Sequence, residues 1–274
     1  MFENFTKSFV IVKKSFDVLM SEKKLLFFPL ISGIFLIALL LSFIAPIFVF
    51  NSDAPLILFS AIFYFLSYFV IIFFNTSLVH AVNNKIEGKP VSLMESISFS
   101  FTRILNIIGW AAIAATVGMI LSFLRGEANK QRGIGGLIAS LVVNAIGMVW
   151  SLATFFVIPV IVFENVNPIT AIQRSVELIK KGWGQAVTAG FGIGVVFFIL
   201  YLIGIGAIML SAFTGILFLP VLVIGIVYLV AVFLVESTLQ SIFVVELYKY
   251  VNTGNAVLFN PDELQGAFKP KNTV

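Results

Sequence analysis

The sequence predicts an all-α membrane protein with six transmembrane helices in three repeated units, and three observations support this fold class. Hydrophobic residues make up 60% of the 274 residues and charged residues 11%, whereas soluble domains contain about 45–50% and about 25%. Six apolar stretches are long enough to cross about 30 Å of hydrocarbon. A segment with helical amphipathicity precedes each pair of these stretches.

Short polar breaks separate the predicted spans. Asn51-Ser52-Asp53, residues 125–133 and the Thr214-Gly215 turn follow the first, third and fifth span. Without the last of these breaks, residues 183–244 would form one apolar run. At about 1.5 Å per residue, that run is too long for a single crossing. The predicted spans are 25–50, 55–82, 104–124, 134–163, 183–212 and 216–244.

The basic residues predict the orientation. If the spans alternate in direction, 14 of the 17 Lys and Arg residues lie on one side, together with both termini. The other three are Arg125, Lys130 and Arg132, between spans three and four. Because loops rich in Lys and Arg stay in the cytoplasm, we expect both termini to be cytoplasmic. We therefore expect a multi-pass protein of the cell (inner) membrane, whose first span is too long for a cleaved signal peptide.

The first predicted unit, about 1–82, begins with a long amphipathic helix before its two spans. One apolar stripe runs along this helix for five turns, with spacings of three and four residues. The charged residues Lys7, Lys14 and Asp17 lie off the stripe. Its members are Phe2, Phe5, Phe9, Val12, Phe16 and Leu19.

The second and third units, 90–163 and 168–250, align at an offset of 78 residues. This offset places the segment 90–95 on the segment 168–173. Ser92 with Glu95, and Thr170 with Gln173, have the spacing of capping boxes that begin a helix. The sequence therefore predicts two matching amphipathic helices, which end at Arg103 and at Lys180-Lys181, and a short cytoplasmic tail over 251–274.

The two short helices also have apolar stripes. In the second unit the stripe contains Val91, Met94, Ile97 and Phe101; in the third it contains Ile169, Ile172, Val176 and Ile179. Such helices anchor at a membrane interface, where basic residues attract anionic lipid headgroups. Docking of a cytosolic protein partner or sensing of lipid composition is the alternative interpretation.

Four polar residues within or at the ends of spans are the candidate functional residues. Asn144 lies deepest, and it predicts either a helix–helix hydrogen bond or the lining of a solute path. His80, Glu164 and Glu236 lie at the cytoplasmic ends of the even-numbered spans. They predict a polar cluster that binds a cation or relays a proton, or else two interfacial carboxylates paired with nearby Lys or Arg.

Span five contains a stripe of small residues. Ala186, Gly190 and Gly194 recur at a spacing of four residues. Such a face lets two membrane helices approach closely, so we expect it to serve helix packing.

The composition excludes several classes of site. The chain has no cysteine and one histidine, which excludes thiolate chemistry and the usual zinc and haem ligand sets. No Ser–His–acid arrangement fits the sole histidine. A net charge of +4 is small for a protein that binds nucleic acid. We therefore expect no enzyme activity, no metal, no cofactor and no nucleic-acid partner, while the oligomeric state stays open.

The end of the chain predicts one more helix. Asn260 has the character of an N-cap, Pro261 suits a first helical turn, and Asp262 and Glu263 favour the positive end of the helix dipole. The predicted helix covers about 261–268.

Three motifs resemble an uncharacterised family of bacterial and archaeal six-helix integral membrane proteins, a domain of unknown function. The resemblance implies fold and topology, and it assigns no activity to any residue. The motifs are the stretch 24–32, the segment 171–175 ahead of Trp183, and a closing region with Leu247-Tyr248-Lys249-Tyr250, Gly254, Phe259 and Ala267-Phe268-Lys269.

Two functions fit these expectations. The first is a non-enzymatic membrane component that docks partners or organises lipid through its cytoplasmic amphipathic helices. The second is a transporter or channel for a small solute or lipid, which would need a polar path that reaches Asn144.

Overall fold

The computed structural model describes residues 2–49, 53–131, 133–212, 215–254 and 256–259, without the side chains of 2–8, 45–57, 182–192 and 216. In this part of the chain all regular elements are helical, which confirms the all-α prediction. Two short 3₁₀ helices, Lys23–Leu26 and Gly215–Leu217, precede α2 and α9. The α-helices are α1 (Phe2–Ser21), α2 (Phe27–Val49), α3 (Asp53–Ile86), α4 (Leu93–Thr102), α5 (Ile104–Lys130), α6 (Ile134–Ala153), α7 (Val157–Glu164), α8 (Pro168–Ser211) and α9 (Phe218–Thr253).

Six segments of the described helices are long and apolar enough to cross a membrane, as predicted. The first segment ends at Ile44, the second begins at Leu58 and the fifth begins at Ile193, because the side chains of 45–57 and 182–192 are not described. The predicted bounds at 50, 55 and 183 therefore stay predictions. The segments are Lys23–Ile44, Leu58–Ile86, Ile104–Lys130, Ile134–Glu164, Ile193–Ser211 and Phe218–Thr253.

Proline marks the beginning of five helices. A proline in the first turn loses no helical hydrogen bond, because the N–H groups there have no partner within the helix. These prolines are Pro29 in α2, Pro55 in α3, Pro159 in α7, Pro168 in α8 and Pro220 in α9.

The fourth span is broken between α6 and α7. Pro159 cannot donate to the carbonyl of Phe155, and its ring would clash with that carbonyl in a continuous helix. The backbone N–H of Phe156 instead donates to the Ser175 hydroxyl at 3.0 Å. A buried serine on α8 therefore provides the partner that an N–H in a membrane span requires.

The caps of α4 and α8 differ from each other. Ser92 caps α4 as predicted and accepts the backbone N–H of Glu95 at 3.3 Å. The predicted cap at Thr170 is wrong, because its own N–H donates to the Asn167 side chain at 3.0 Å. The cap thus lies three residues earlier, at Asn167, and the two caps are not related by the 78-residue offset.

The predicted ends of the two amphipathic helices have different outcomes. The first ends at Thr102, with Arg103 as its C-cap, as expected. The prediction that the second ends at Lys180-Lys181 is wrong, since α8 continues to Ser211. Between Pro168 and Gly182 the sequence has no proline or glycine that could end the helix, and lysine itself favours a helix.

The chain divides into two compact units. The terminal unit comprises Met1–Pro29, Ala81–Val91 and Gly182–Val274, and the central unit comprises Leu30–His80 and Ser92–Lys181. The single domain 1–274 and the repeat boundaries 1–82, 90–163 and 168–250 stay predictions. The predicted helix over 261–268 lies outside the described residues.

Candidate functional site

The α1 helix has separate buried and exposed apolar faces. Ile11, Ser15 and Leu19, spaced four residues apart, are buried within the terminal unit, where α1 packs against α9. Phe9 and Phe16 of the predicted stripe are exposed, Phe9 to 61% of its area. The small side chain of Ser15 allows close packing on the buried face, while Phe9 and Phe16 on the other face can contact lipid.

The α4 helix repeats this division in the central unit. Ser96 and Ser100 are completely buried, and the Ser100 hydroxyl lies 2.6 Å from that of Ser77 on α3. Met94 and Phe101, from the predicted apolar stripe, are 74% and 60% exposed. Serines therefore form the buried contact of α4 with α3, whereas Met94 is exposed and Phe101 lies at the edge of this contact, beside Phe73 of α3.

His80 is held on this α3–α4 contact. Its Nδ1 lies 3.3 Å from the Ser96 hydroxyl, and its ring stacks on Phe99 with centroids 4.1 Å apart. The guanidinium of Arg103 lies 5.0 Å from the centre of the same Phe99 ring. Arg103 Nε is buried and has no hydrogen-bond partner among the described residues. A cation–aromatic contact thus holds Arg103 at the turn between α4 and α5.

Glu164 forms the ion pair that the sequence predicts. Its two carboxylate oxygens accept from Arg174 Nε at 3.1 and 3.2 Å, across the turn from α7 to α8. Arg174 also donates to Glu177 at 3.1 Å. Hydrogen bonds from Arg174, first to Glu164 and then to Glu177, raise the pKa of its guanidinium above the ordinary value. Arg174 therefore remains a cation at this end of the fourth span.

A second charged group lies in the terminal unit, where Glu87 follows α3. Lys89 and Lys249 donate to its carboxylate at 2.7 and 3.2 Å. The hydrogen bond from Lys89 is the largest cause of a lowered pKa for Glu87, with a further contribution from Lys249 and an opposing one from burial. In the same unit, Lys24 donates to the carbonyl of Val91 at 3.4 Å. These contacts fix the segment 81–91 to α9 and to the start of the first span.

The end of α9 contains a buried carboxylate that the sequence analysis did not single out. Glu246 is completely buried, and it accepts the backbone N–H groups of Val257 and Leu258 at 3.0 and 3.2 Å. Phe259 packs beside Phe243, with ring centroids 6.4 Å apart. Gly254 makes the turn with a φ of 79°, a conformation that favours glycine. Glu246 is therefore a structural anchor for the chain after α9.

Glu236 and Asn144 have different surroundings from those expected. Glu236 accepts a hydrogen bond from the Tyr201 hydroxyl, so its described partner is a phenol and not Lys or Arg. Asn144 is exposed on α6 and has no hydrogen bond to another described residue. The predicted hydrogen bond of Asn144 inside the bundle therefore has no support among the described residues. Both the hydrogen bond and the lining of a solute path stay predictions for Asn144.

The predicted polar cluster has no support as a cation site. Among the described residues, no group of three His, Asp or Glu side chains could hold a metal ion. His80 and Glu164 make their described contacts with Ser96, Phe99 and Arg174, as given above. His80 and Glu164 thus each have local partners on neighbouring helices.

Among the close approaches of membrane helices that were not predicted, two involve a long polar side chain. A Cβ on Gly118 of α5 would lie 2.7 Å from the hydroxyl oxygen of Tyr68 on α3. A Cβ on Gly147 of α6 would lie 3.0 Å from a guanidinium nitrogen of Arg125 on α5. Both glycines leave room for a long polar side chain between spans. The only sequence feature that points to them is glycine within an apolar span.

The small-residue stripe of span five is described at one position only. Gly194 is exposed, and a Cβ there would have open space for 4 Å around it. The side chains at Ala186 and Gly190 lie outside the described part. The packing prediction therefore has no support at Gly194 and stays a prediction at the other two positions.

The chain is similar to one known protein family. A family model described as "Family of unknown function (DUF6159)" matches residues 54–258, which is most of the chain. No curated protein and no solved structure matches it.

Proposed function

We propose that this chain, which belongs to that family of unknown function, is a non-enzymatic membrane protein that organises anionic lipid in one leaflet. Six apolar helices support its placement as a multi-pass membrane protein. The cytoplasmic orientation, the repeated units and the interfacial role of α1, α4 and the first turns of α8 are parts of this proposal.

One observation carries the proposal: the interfacial helices expose large apolar side chains and bury small ones. Phe9, Met94 and Phe101 are more than half exposed, whereas Ser15, Ser96 and Ser100 are completely buried. Apolar surface that is exposed to water raises the free energy by roughly 25 cal/mol per Å². This cost is absent where the same surface contacts acyl chains. An amphipathic helix at the headgroup boundary satisfies both of its faces.

The basic residues supply the preference for anionic lipid. Lys13, Lys23, Lys24, Lys180 and Lys181 are exposed on or beside these segments. Each contributes on the order of 1 kcal/mol of attraction near an anionic surface. Phosphatidylglycerol should therefore be enriched over phosphatidylethanolamine around the protein, on the side that contains both termini.

The experiment measures this enrichment. The full chain is extracted from its membrane in polymer-bounded discs, and the ratio of phosphatidylglycerol to phosphatidylethanolamine is determined by mass spectrometry. Replacing the five lysines with Gln should reduce the ratio at least twofold. The matched control replaces Arg125 and Lys130, on the opposite predicted side, and should leave the ratio unchanged.

The outcomes distinguish the alternatives. Equal ratios in the five-lysine variant and the wild type would contradict lipid organisation. A cytosolic protein that co-purifies with the wild type but not with that variant, at an unchanged lipid ratio, would favour partner docking. The transporter alternative would need a polar path that reaches Asn144, and a solute flux that Asn144→Leu abolishes would favour it.

A further inference from the structure

An open apolar groove lies along the first two spans in the central unit. It has a volume of about 720 Å³ and lies between α2, α3 and α4. Phe35 of α2 and Phe74 of α3 form one wall, with ring centroids 5.6 Å apart. At the α4 end, Phe101 meets Phe73 edge-on at 4.9 Å.

Water is a poor occupant of this groove. A bound water needs two to four polar partners. Ser42 is the sole lining residue with a polar side chain, and its hydroxyl already donates to the Leu39 carbonyl at 2.7 Å. The remaining lining side chains are aliphatic or phenylalanine. An apolar ligand therefore fits the chemistry of the surface.

The length of the groove matches one leaflet. Its α2 wall extends from Ile31 to Ser42, which is about 16 Å at 1.5 Å per residue. This is close to half of the roughly 30 Å hydrocarbon thickness. Ile97 and Phe101 of α4 close the end of the groove nearest the membrane interface. A chain that enters beside α4 would reach the middle of the bilayer at Ser42.

We propose that the groove between α2, α3 and α4 is a binding site for one acyl chain of a membrane phospholipid. The surrounding bilayer supplies this ligand, and the aromatic walls restrict the motion of the bound chain relative to bulk lipid. The proposal rests on the proposed function in one respect only, which is the identity of the leaflet that supplies the acyl chain. Its specificity is for chain length and not for headgroup charge, since no charged side chain lines the groove.

The test is lipid retention by the full chain, measured by native mass spectrometry after release from detergent. We expect the wild type to retain one phospholipid when 1-palmitoyl-2-oleoyl-phosphatidylglycerol is supplied. Dihexanoyl-phosphatidylglycerol, which has the same headgroup and short chains, should be retained at least fivefold less. Equal retention of the two lipids would overturn the proposal, because the headgroup would then determine binding.

Two variants fill the groove at different depths, so that one folding failure does not remove the test. Ala38→Phe fills its middle and Ser42→Phe its far end, and each should reduce occupancy at least fivefold. Ala145→Phe, on the exposed face of α6, is the matched control and should retain the lipid. Thermal unfolding of each purified variant identifies those that remain folded.

Three results would each overturn the proposal. They are wild-type retention in both folded groove variants, equal loss in Ala145→Phe, and a wild type that retains no phospholipid. The proposed function fails by a separate readout, the unchanged phosphatidylglycerol ratio of the five-lysine variant. A variant such as Ala38→Phe should lose the retained lipid and keep that ratio.

Discussion

The Nε of Arg174 lies 3.1 and 3.2 Å from the two carboxylate oxygens of Glu164, so that one cation on α8 serves both acceptors at the end of α7. The two side chains are 28% and 26% exposed, which makes the pair less screened than a surface ion pair.

Arg174→Gln should reduce the free energy of unfolding by about 1–2 kcal/mol, because it leaves a half-buried carboxylate without its cation. Reversible denaturation of the purified protein in detergent measures this change. Glu177→Gln is the control: Glu177 is 61% exposed, and we expect a change of less than about 0.5 kcal/mol. Equal effects of the two substitutions would show that the Arg174–Glu164 pair contributes no more to stability than the exposed Arg174–Glu177 pair.

Gly118→Ala should destabilise the protein by about 1–3 kcal/mol, the usual cost of overpacking, since the new Cβ would meet the Tyr68 hydroxyl. Tyr68→Phe removes the closest atom and should recover part of the loss in the double variant. Gly126→Ala, on the same helix with open space around it, should be neutral or stabilising. Similar losses for Gly118→Ala and Gly126→Ala would contradict the described helix contact.

The Glu87 carboxylate should give the protein a small pH-dependent stability. Because Lys89 and Lys249 hold its pKa below the ordinary value, ionised Glu87 stabilises the folded state above the unfolded pKa of about 4.3. This stability is lost as the pH falls through the lower folded pKa. Glu87→Gln should therefore lower Tm at pH 7, and the difference from the wild type should disappear at the acidic end. A difference that stays constant from pH 7 to pH 3 would contradict this assignment.

The absence of cysteine makes the orientation directly testable. Pro90→Cys lies on the predicted cytoplasmic side and Asn129→Cys on the other, both at exposed positions. A membrane-impermeant maleimide added to intact cells should label Asn129→Cys and not Pro90→Cys. Labelling of both after the cells are opened is the control. The reverse pattern would place the termini outside the cytoplasm.

The spans could be predicted from the sequence because hydropathy depends on each residue's own transfer free energy. The same holds for the Ser92 cap, whose partner is three residues away. The predicted cap at Thr170 failed because Asn167, a stronger capping residue, lies three residues earlier and caps the helix there.

The helix contacts could not be predicted, because they depend on which faces meet. Periodicity identifies the apolar stripe of α4, but Met94 and Phe101 on that stripe are mostly exposed, while Ser96 and Ser100 are buried in the contact with α3. Asn144 shows the same limit, since its depth in the span follows from the sequence and its exposure does not. The Gly118–Tyr68 approach depends on the register of two spans that are far apart in sequence.

The break at Thr154–Phe156 has a consequence for bilayers of different thickness. A straight helix of 31 residues from Ile134 to Glu164 would be about 46 Å long, which exceeds the hydrocarbon core of about 30 Å by about half. A rigid helix adapts to such a mismatch by tilting as a whole or by deforming the lipid. Here the Ser175 hydroxyl accepts the Phe156 N–H, so the helix is broken inside the apolar segment without an unpaired backbone donor at that point. The fourth span therefore meets the bilayer as two helices with separate axes, and its fit does not depend on the tilt of a single straight rod.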